Sequence, residues 1–253
     1  MKRNRWFRIA ALLIGGTAAG ALEAQTLSRD PLPDWFIPLR EAVYEQRLTA
    51  DEVSPLYREV KDTAQARLSG AALNLMLSRC EYMMGRVYQD NNLKDEALAC
   101  FEKGIEWAEK SLAIQANSGA YEILAANIGQ ACMLKPVPWV MANGLRVEQN
   151  AKKALTLNPH NAAASYLIAS RWVFGPGLLG NPKRGITEME AILNSSGELQ
   201  KDEFFNVYSA IGYGYIQLKK YQDALPWVQR SLAIYPSNKY AGDLLSQIQQ
   251  AGR

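Results

Sequence analysis

Between residues 205 and 238 the apolar positions recur at helical spacing in two runs, separated by Leu218, Lys219, Lys220 and Tyr221. The first run sets Ile211, Gly212 and Tyr215 on one face. The second sets Ala224, Val228, Ser231 and Leu232 on one face, and Pro236 closes it. Small residues at Gly212 and Ala224 let two antiparallel helices approach closely, while Tyr215, Tyr221 and Val228 fill the space around the contact. A helix pair of this kind cannot bury its apolar face alone, so it predicts neighbours stacked on either side.

The same spacing returns upstream. Gly85, Tyr88, Ala97 and Phe101 stand to one another as Gly212, Tyr215, Ala224 and Val228 do, although Glu109 occupies the place of Pro236. Around these two hairpins the periodicity predicts a helix over 35–47 capped by Asp34 and a second helix running to about residue 68. That second helix starts either at the Thr49…Glu52 capping box or at Ser54-Pro55. Further helices are predicted over 69–90, 93–114, 117–133, 139–157 and 162–174, the last capped by Asn161. Another opens at Pro182 and ends near residue 194, and a final one covers 237–250 with a polar side of Asp243, Gln247, Gln249 and Gln250. No stretch alternates with period two over the length of a strand, so the predicted fold is all-α.

Residues 205–238 resemble a tetratricopeptide repeat: Gly212, Tyr215, Tyr221, Ala224 and Pro236 fall where that family has small, aromatic and proline positions, with Ser231 in place of the usual alanine. Residues 78–111 resemble a second repeat. Residues 117–160 and 161–195 resemble irregular ones, the former by its closing run from Ala151 to Pro159. The resemblance implies an α/α hairpin solenoid, a tetratricopeptide-like superhelix of about ten or eleven helices, with an irregular part over 25–68 and a capping helix over 237–251. It also implies a non-catalytic scaffold that binds a protein or peptide in a concave groove lined by the first helix of each pair. In the register of Gly85 and Gly212, that face would carry Arg79, Tyr82, Met83, Arg86, Gln89, Asn206, Ser209, Tyr213 and Gln217. The middle helices would add Asn127, Gln130, Tyr166 and Ser170. Arg79 and Arg86 are expected to be exposed, because an unpaired buried guanidinium is costly.

A second resemblance, to the T-component of TRAP-type solute transport systems, rests on the leader, the broken repeats and the Gly/Pro-rich break before Asn181-Pro182. It implies a periplasmic accessory protein with an apolar pocket for a small ligand, lined by Tyr82, Met83, Tyr166 and Tyr213.

The leader is Lys2, Arg3, Arg5 and Arg8 followed by an uncharged, mostly apolar run over 9–22 and small residues around Ala24-Gln25. That is the form of a secretory signal peptide over 1–24, with Ala19-Gly20-Ala21 as a second cleavage option, and it predicts export, most simply to the periplasm. The run is short for a bilayer span, which needs about 20 residues. The leader takes four of the 28 basic residues and one of the 25 acidic ones, leaving 24 of each. The basic balance of the whole chain therefore belongs to the leader and gives no support to nucleic-acid binding.

Candidate chemistry is sparse. His160 is the sole histidine and follows Pro159 in a turn. Cys80, Cys100 and Cys132 match no metal spacing. Cys80 and Cys100 fall on the two helices of one hairpin, which leaves open a disulfide or buried apolar packing. Gly175-Pro176-Gly177 lacks the Gly-Lys-Ser/Thr that completes a phosphate loop. No catalytic constellation and no cofactor site emerges. The segment over 175–182 is a candidate recognition loop on a rigid scaffold.

Overall fold

The computed structural model describes residues 31–175, 180–195 and 198–252. The leader over 1–24 and the centre of the Gly/Pro-rich segment lie outside the described residues. A 3-10 turn (Asp34–Phe36) leads into α1 (Ile37–Glu45). Then come α2 (Ala50–Arg67), α3 (Gly70–Asp90), α4 (Lys94–Ile114), α5 (Ser118–Leu134), α6 (Val137–Leu157), α7 (Ala162–Phe174), α8 (Pro182–Ser195), α9 (Lys201–Gln217), α10 (Tyr221–Ile234) and α11 (Lys239–Ala251). Among the described residues there is no strand beyond a single bridge residue, Glu198. The fold is all-α, as the hydrophobic period predicts.

The caps explain where helices begin. Asn117, Asn161 and Asn238 each accept, through the side-chain oxygen, the backbone N–H three residues on, at 2.8, 2.9 and 3.1 Å. The choice left open at the start of α2 falls to Thr49, which forms a reciprocal capping box with Glu52 and leaves Pro55 inside the helix. Asp34 does not cap a helix. It belongs to the 3-10 turn, whose N-cap is Pro33. The turns of the α3–α4 and α9–α10 hairpins place Asn92 and Lys219 at equivalent positions, both in the left-handed region at φ 62° and 58°.

Packing follows the hairpin pattern. α3 pairs with α4, α5 with α6, α7 with α8, and α9 with α10, and the first helices contact one another in sequence from α3 through α5, α7 and α9 to α11. These first helices form an inner layer and the second helices an outer one. A Cβ at Gly212 would lie 2.6 Å from Val228 Cγ2, and one at Gly85 would lie 2.5 Å from Phe101 Cε1. Both glycines are therefore required by close helix approach, as the sequence spacing predicts. In the α5–α6 pair the contact is made instead by a cluster of alanines, Ala125, Ala151 and Ala154, which Ala164 of α7 joins.

The N-terminal segment departs from the repeat pattern. Phe36, Leu39 and Val43 pack into one core with Met76, Cys80, Met83, Met84 and Val87 of α3. Tyr44, from the same helix, packs with Phe205, Tyr235 and Ala241 near the other end of the array. Thus α1 crosses the inner layer from the first hairpin to the last.

Candidate functional site

Four successive inner helices and the N-terminal segment enclose one cavity of about 70 Å³. Its wall includes Arg79, Tyr82 and Met83 from α3, Glu122 and Ile123 from α5, Tyr166 and Leu167 from α7, and Asp202, Glu203 and Asn206 from α9. Leu32, Phe36 and Tyr44 close the remaining side. Four consecutive first helices therefore face one small cavity, and α1 lies across that inner face, where the repeats lead one to expect an open trough.

The seat of α1 is polar at its edges and aromatic at its centre. Arg40 donates from Nη1 to Asp202 Oδ1 at 3.3 Å and to Gln200 Oε1 at 3.4 Å, and from Nη2 to Glu41 Oε1 at 3.0 Å. The Tyr44 ring stacks on Tyr235 with centroids 5.1 Å apart and meets Phe205 edge-on at 5.6 Å. The Tyr44 hydroxyl accepts from Asn206 Nδ2 at 3.0 Å, and the Arg86 guanidinium lies over the same ring, 6.0 Å from its centroid. At the C-terminal end of α1, the Tyr44 carbonyl accepts from Asn238 Nδ2 at 2.8 Å, the Glu45 carbonyl accepts from Ser237 Oγ at 2.6 Å, and Gln46 Oε1 accepts from the backbone N–H of Lys239 at 2.8 Å. The carbonyls that end a helix need partners, and here the α10–α11 turn supplies them.

Burial and charge set the protonation of this site. Burial, reinforced by the nearby Asp202 carboxylate, holds the Tyr44 hydroxyl well above the usual phenol range. Burial likewise raises Tyr166. At Arg86 burial opposes the charge, but Tyr82, Asp90 and Tyr44 outweigh it and raise the pKa, so the guanidinium stays charged. Both tyrosines are therefore neutral hydrogen-bonding groups at physiological pH, and neither can act as an anionic base.

The structure sorts the residues expected on the concave face. Arg79, Tyr82, Tyr166 and Asn206 line the cavity together, and Arg86 joins them by donating to the Tyr82 hydroxyl at 3.4 Å. The expected exposure of Arg79 and Arg86 is corrected: Arg79 is 6% exposed and Arg86 is half-buried beside the Tyr44 ring. Asn127 is also corrected. It is fully buried between α3, α4 and α5, donating to Ser78 Oγ at 3.2 Å and to the Ile123 carbonyl at 2.9 Å, with Gly104 pressed against its amide. Tyr213 stacks on Phe174 at 5.3 Å and lies outside the cavity wall. Gln217 donates to the Val173 carbonyl at 2.8 Å, joining the ends of α9 and α7. Gln89 and Gln130 are half-buried on α3 and α5 and do not reach the cavity.

Sequence reasoning missed Arg40, Tyr44, Glu122, Asp202 and Glu203. The one local signal is the helix predicted over 35–47, in a part of the chain that carries no repeat signature. The three cysteines are free thiols, so the disulfide reading is not taken. Burial, with the Glu81 carboxylate beside them, pushes Cys80 and Cys100 up to about 12. Among the described residues no group of His, Cys, Asp or Glu could hold a metal ion, and no helix is long and apolar enough to cross a membrane.

The family model described as "RMD1-3: Regulator of microtubule dynamics protein 1-3" matches residues 41–189, more than half of the chain. Among solved structures, one described as "Crystal structure of YrrB: a TPR protein with an unusual peptide-binding site" is similar at 14% identity. The match covers 85% of this chain and 98% of that one with a TM-score of 0.38. No curated protein matches. The weaker likeness to TRAP T-components gains nothing from these matches.

Proposed function

The chain belongs to the regulator of microtubule dynamics protein 1-3 family, and from that premise we propose that it is an exported, non-catalytic helical-repeat scaffold whose inner face receives an amphipathic helix of a partner protein. The observation that carries this reading is α1 itself. A short helix with aliphatic Leu39 and Val43, an aromatic Tyr44 and a cationic Arg40 already fills the inner face, held by side chains about 160 residues or more away in sequence. A surface that accepts one helix of this chemistry is matched to another. Arginine and tyrosine are the residue types that anchor such interfaces, and the wall supplies Arg79, Tyr82, Arg86 and Tyr166. Under this reading α1 holds the groove until a competing helix displaces it.

A family described as regulators agrees with a scaffold rather than a catalyst. The leader over 1–24 supports export, and a mass measurement of the exported chain is expected to show it beginning near Gln25. The small-ligand alternative draws less support. With α1 in place the cavity is only about 70 Å³, far below the roughly 300 Å³ at which ligand pockets begin.

The test uses a photoreactive residue in place of Tyr166 in the full chain. In the otherwise unaltered chain, light should join it to residues of α1. With Arg40→Ala and Tyr44→Ala also present, it should join a second polypeptide, and an added peptide spanning residues 31–47 should compete for that attachment. Attachment to the chain's own α1 in both forms would overturn the proposal.

A further inference from the structure

The outer helices α4, α8 and α10 present charged residues to solvent. On α4 these include Glu102, Lys103, Glu106, Glu109 and Lys110. The first half of α6 does not follow them. Val137, Met141 and Leu145 are 69%, 78% and 70% exposed, Met133 at the end of α5 is 71% exposed, and the charged residues on α6 before Lys152, Arg146 and Glu148, are half-buried and ion-paired. An apolar stripe of this kind is about as large as a typical monomer exposes, and such patches are often functional.

We infer that this stripe is a self-association surface, on which α6 of a second copy packs antiparallel across a two-fold axis at Met141. Three observations select a second copy over other occupants. The first is spacing: Val137, Met141 and Leu145 recur every fourth residue, so the stripe reads the same from either end. Antiparallel pairing sets Val137 of each copy against Leu145 of the other and Met141 against itself, which is the self-complementarity a two-fold interface demands. Exposed Ala142 and half-buried Gly144 beside the stripe leave room for close helix approach.

The second is area. At the exposures above, the four large side chains present on the order of 500 Å² per copy, so pairing two copies can bury up to roughly 1,000 Å², the least that a specific interface needs. The third is charge. The cations flanking the stripe are already neutralised, Lys135 by Glu102 at 2.5 Å and Arg146 by Glu109 at 2.7 Å, so the rim lacks the free basic residues that draw an amphipathic surface to anionic lipid. Beyond the leader the chain is formally balanced at 24 charges of each sign, so no net repulsion opposes pairing.

Sedimentation equilibrium of the full chain should show a monomer–dimer equilibrium in the micromolar range. Met141→Glu, which sets two carboxylates together at the axis, should weaken dimerisation at least tenfold while leaving the melting curve unchanged. Met141→Cys should form an intermolecular disulfide on mild oxidation much faster than Ala113→Cys, an exposed position on α4. A wild-type chain monomeric at about 100 µM, or a Met141→Glu chain as dimeric as wild type, would overturn the inference. A monomeric wild type that floats with phosphatidylglycerol vesicles, when Met141→Glu does not, would overturn it in favour of a lipid surface.

Discussion

The α9–α10 and α5–α6 hairpins meet the same requirement, two helices held close enough to stack between neighbours, with opposite means. In α9–α10 a single glycine does it: Gly212 lies where any Cβ would strike Val228, and the outer helix shows Asp223, Gln229 and Arg230 to solvent. In α5–α6 the close approach is spread over alanines, the inner helix is buried on nearly every side, and the outer helix begins at a Pro-Val-Pro sequence with an apolar exterior. A repeat signature is therefore readable where one residue carries the contact, and fades where several small residues share it.

Four substitutions would break or sharpen this contrast. Gly212→Leu should cost about 3 kcal/mol through overpacking, read as a lower urea midpoint with unchanged slope; an unaltered midpoint would mean that α9 and α10 do not meet there. The prolines differ in the same two hairpins. Pro226 sits inside α10, whereas Pro136 and Pro138 stand at the entrance of α6, where the missing N–H is no loss. Pro226→Ala should therefore stabilise the chain by roughly 2 kcal/mol, while Pro138→Ala leaves the melting temperature where it was; equal shifts from both would remove the distinction. The smallest effect belongs to α5. Nothing lies within 4 Å of a Cβ built at Gly129, so Gly129→Ala should stabilise by about 0.5–1 kcal/mol through helix propensity. A loss of stability there would show that α5 also depends on a glycine contact.

Local chemistry made most of the helices legible. Asn161 and Pro182 mark starts where the structure has them, Thr49 is one of two starts the sequence offers for α2, and Gly85 and Gly212 identify close helix contacts. The site was legible only in part. Arg79 and Arg86 were placed on the correct face, but their exposure was inferred from the cost of burying an unpaired guanidinium. The flaw lay in the premise, since Tyr44 and Tyr82 partner Arg86, and Tyr44 arrives on a helix that no repeat register describes. Periodicity predicts a helix over 35–47, and the structure has one at Ile37–Glu45. That pattern holds no information about contacts to Asp202, Asn206 and Asn238, which lie about 160–190 residues away. Asn127 failed for a different reason: α5 is buried around most of its circumference, so helical phase no longer separates an inner surface from a core.

The crossing of α1 from α3 to the α10–α11 turn also bears on how the molecule comes apart. Linear repeat arrays gain stability piecewise, and their outermost units can melt while the middle survives. Here one helix works as a clasp joining the first hairpin to the last, so neither end is free to fray by itself, and a spring open at both ends has become a closed bracelet.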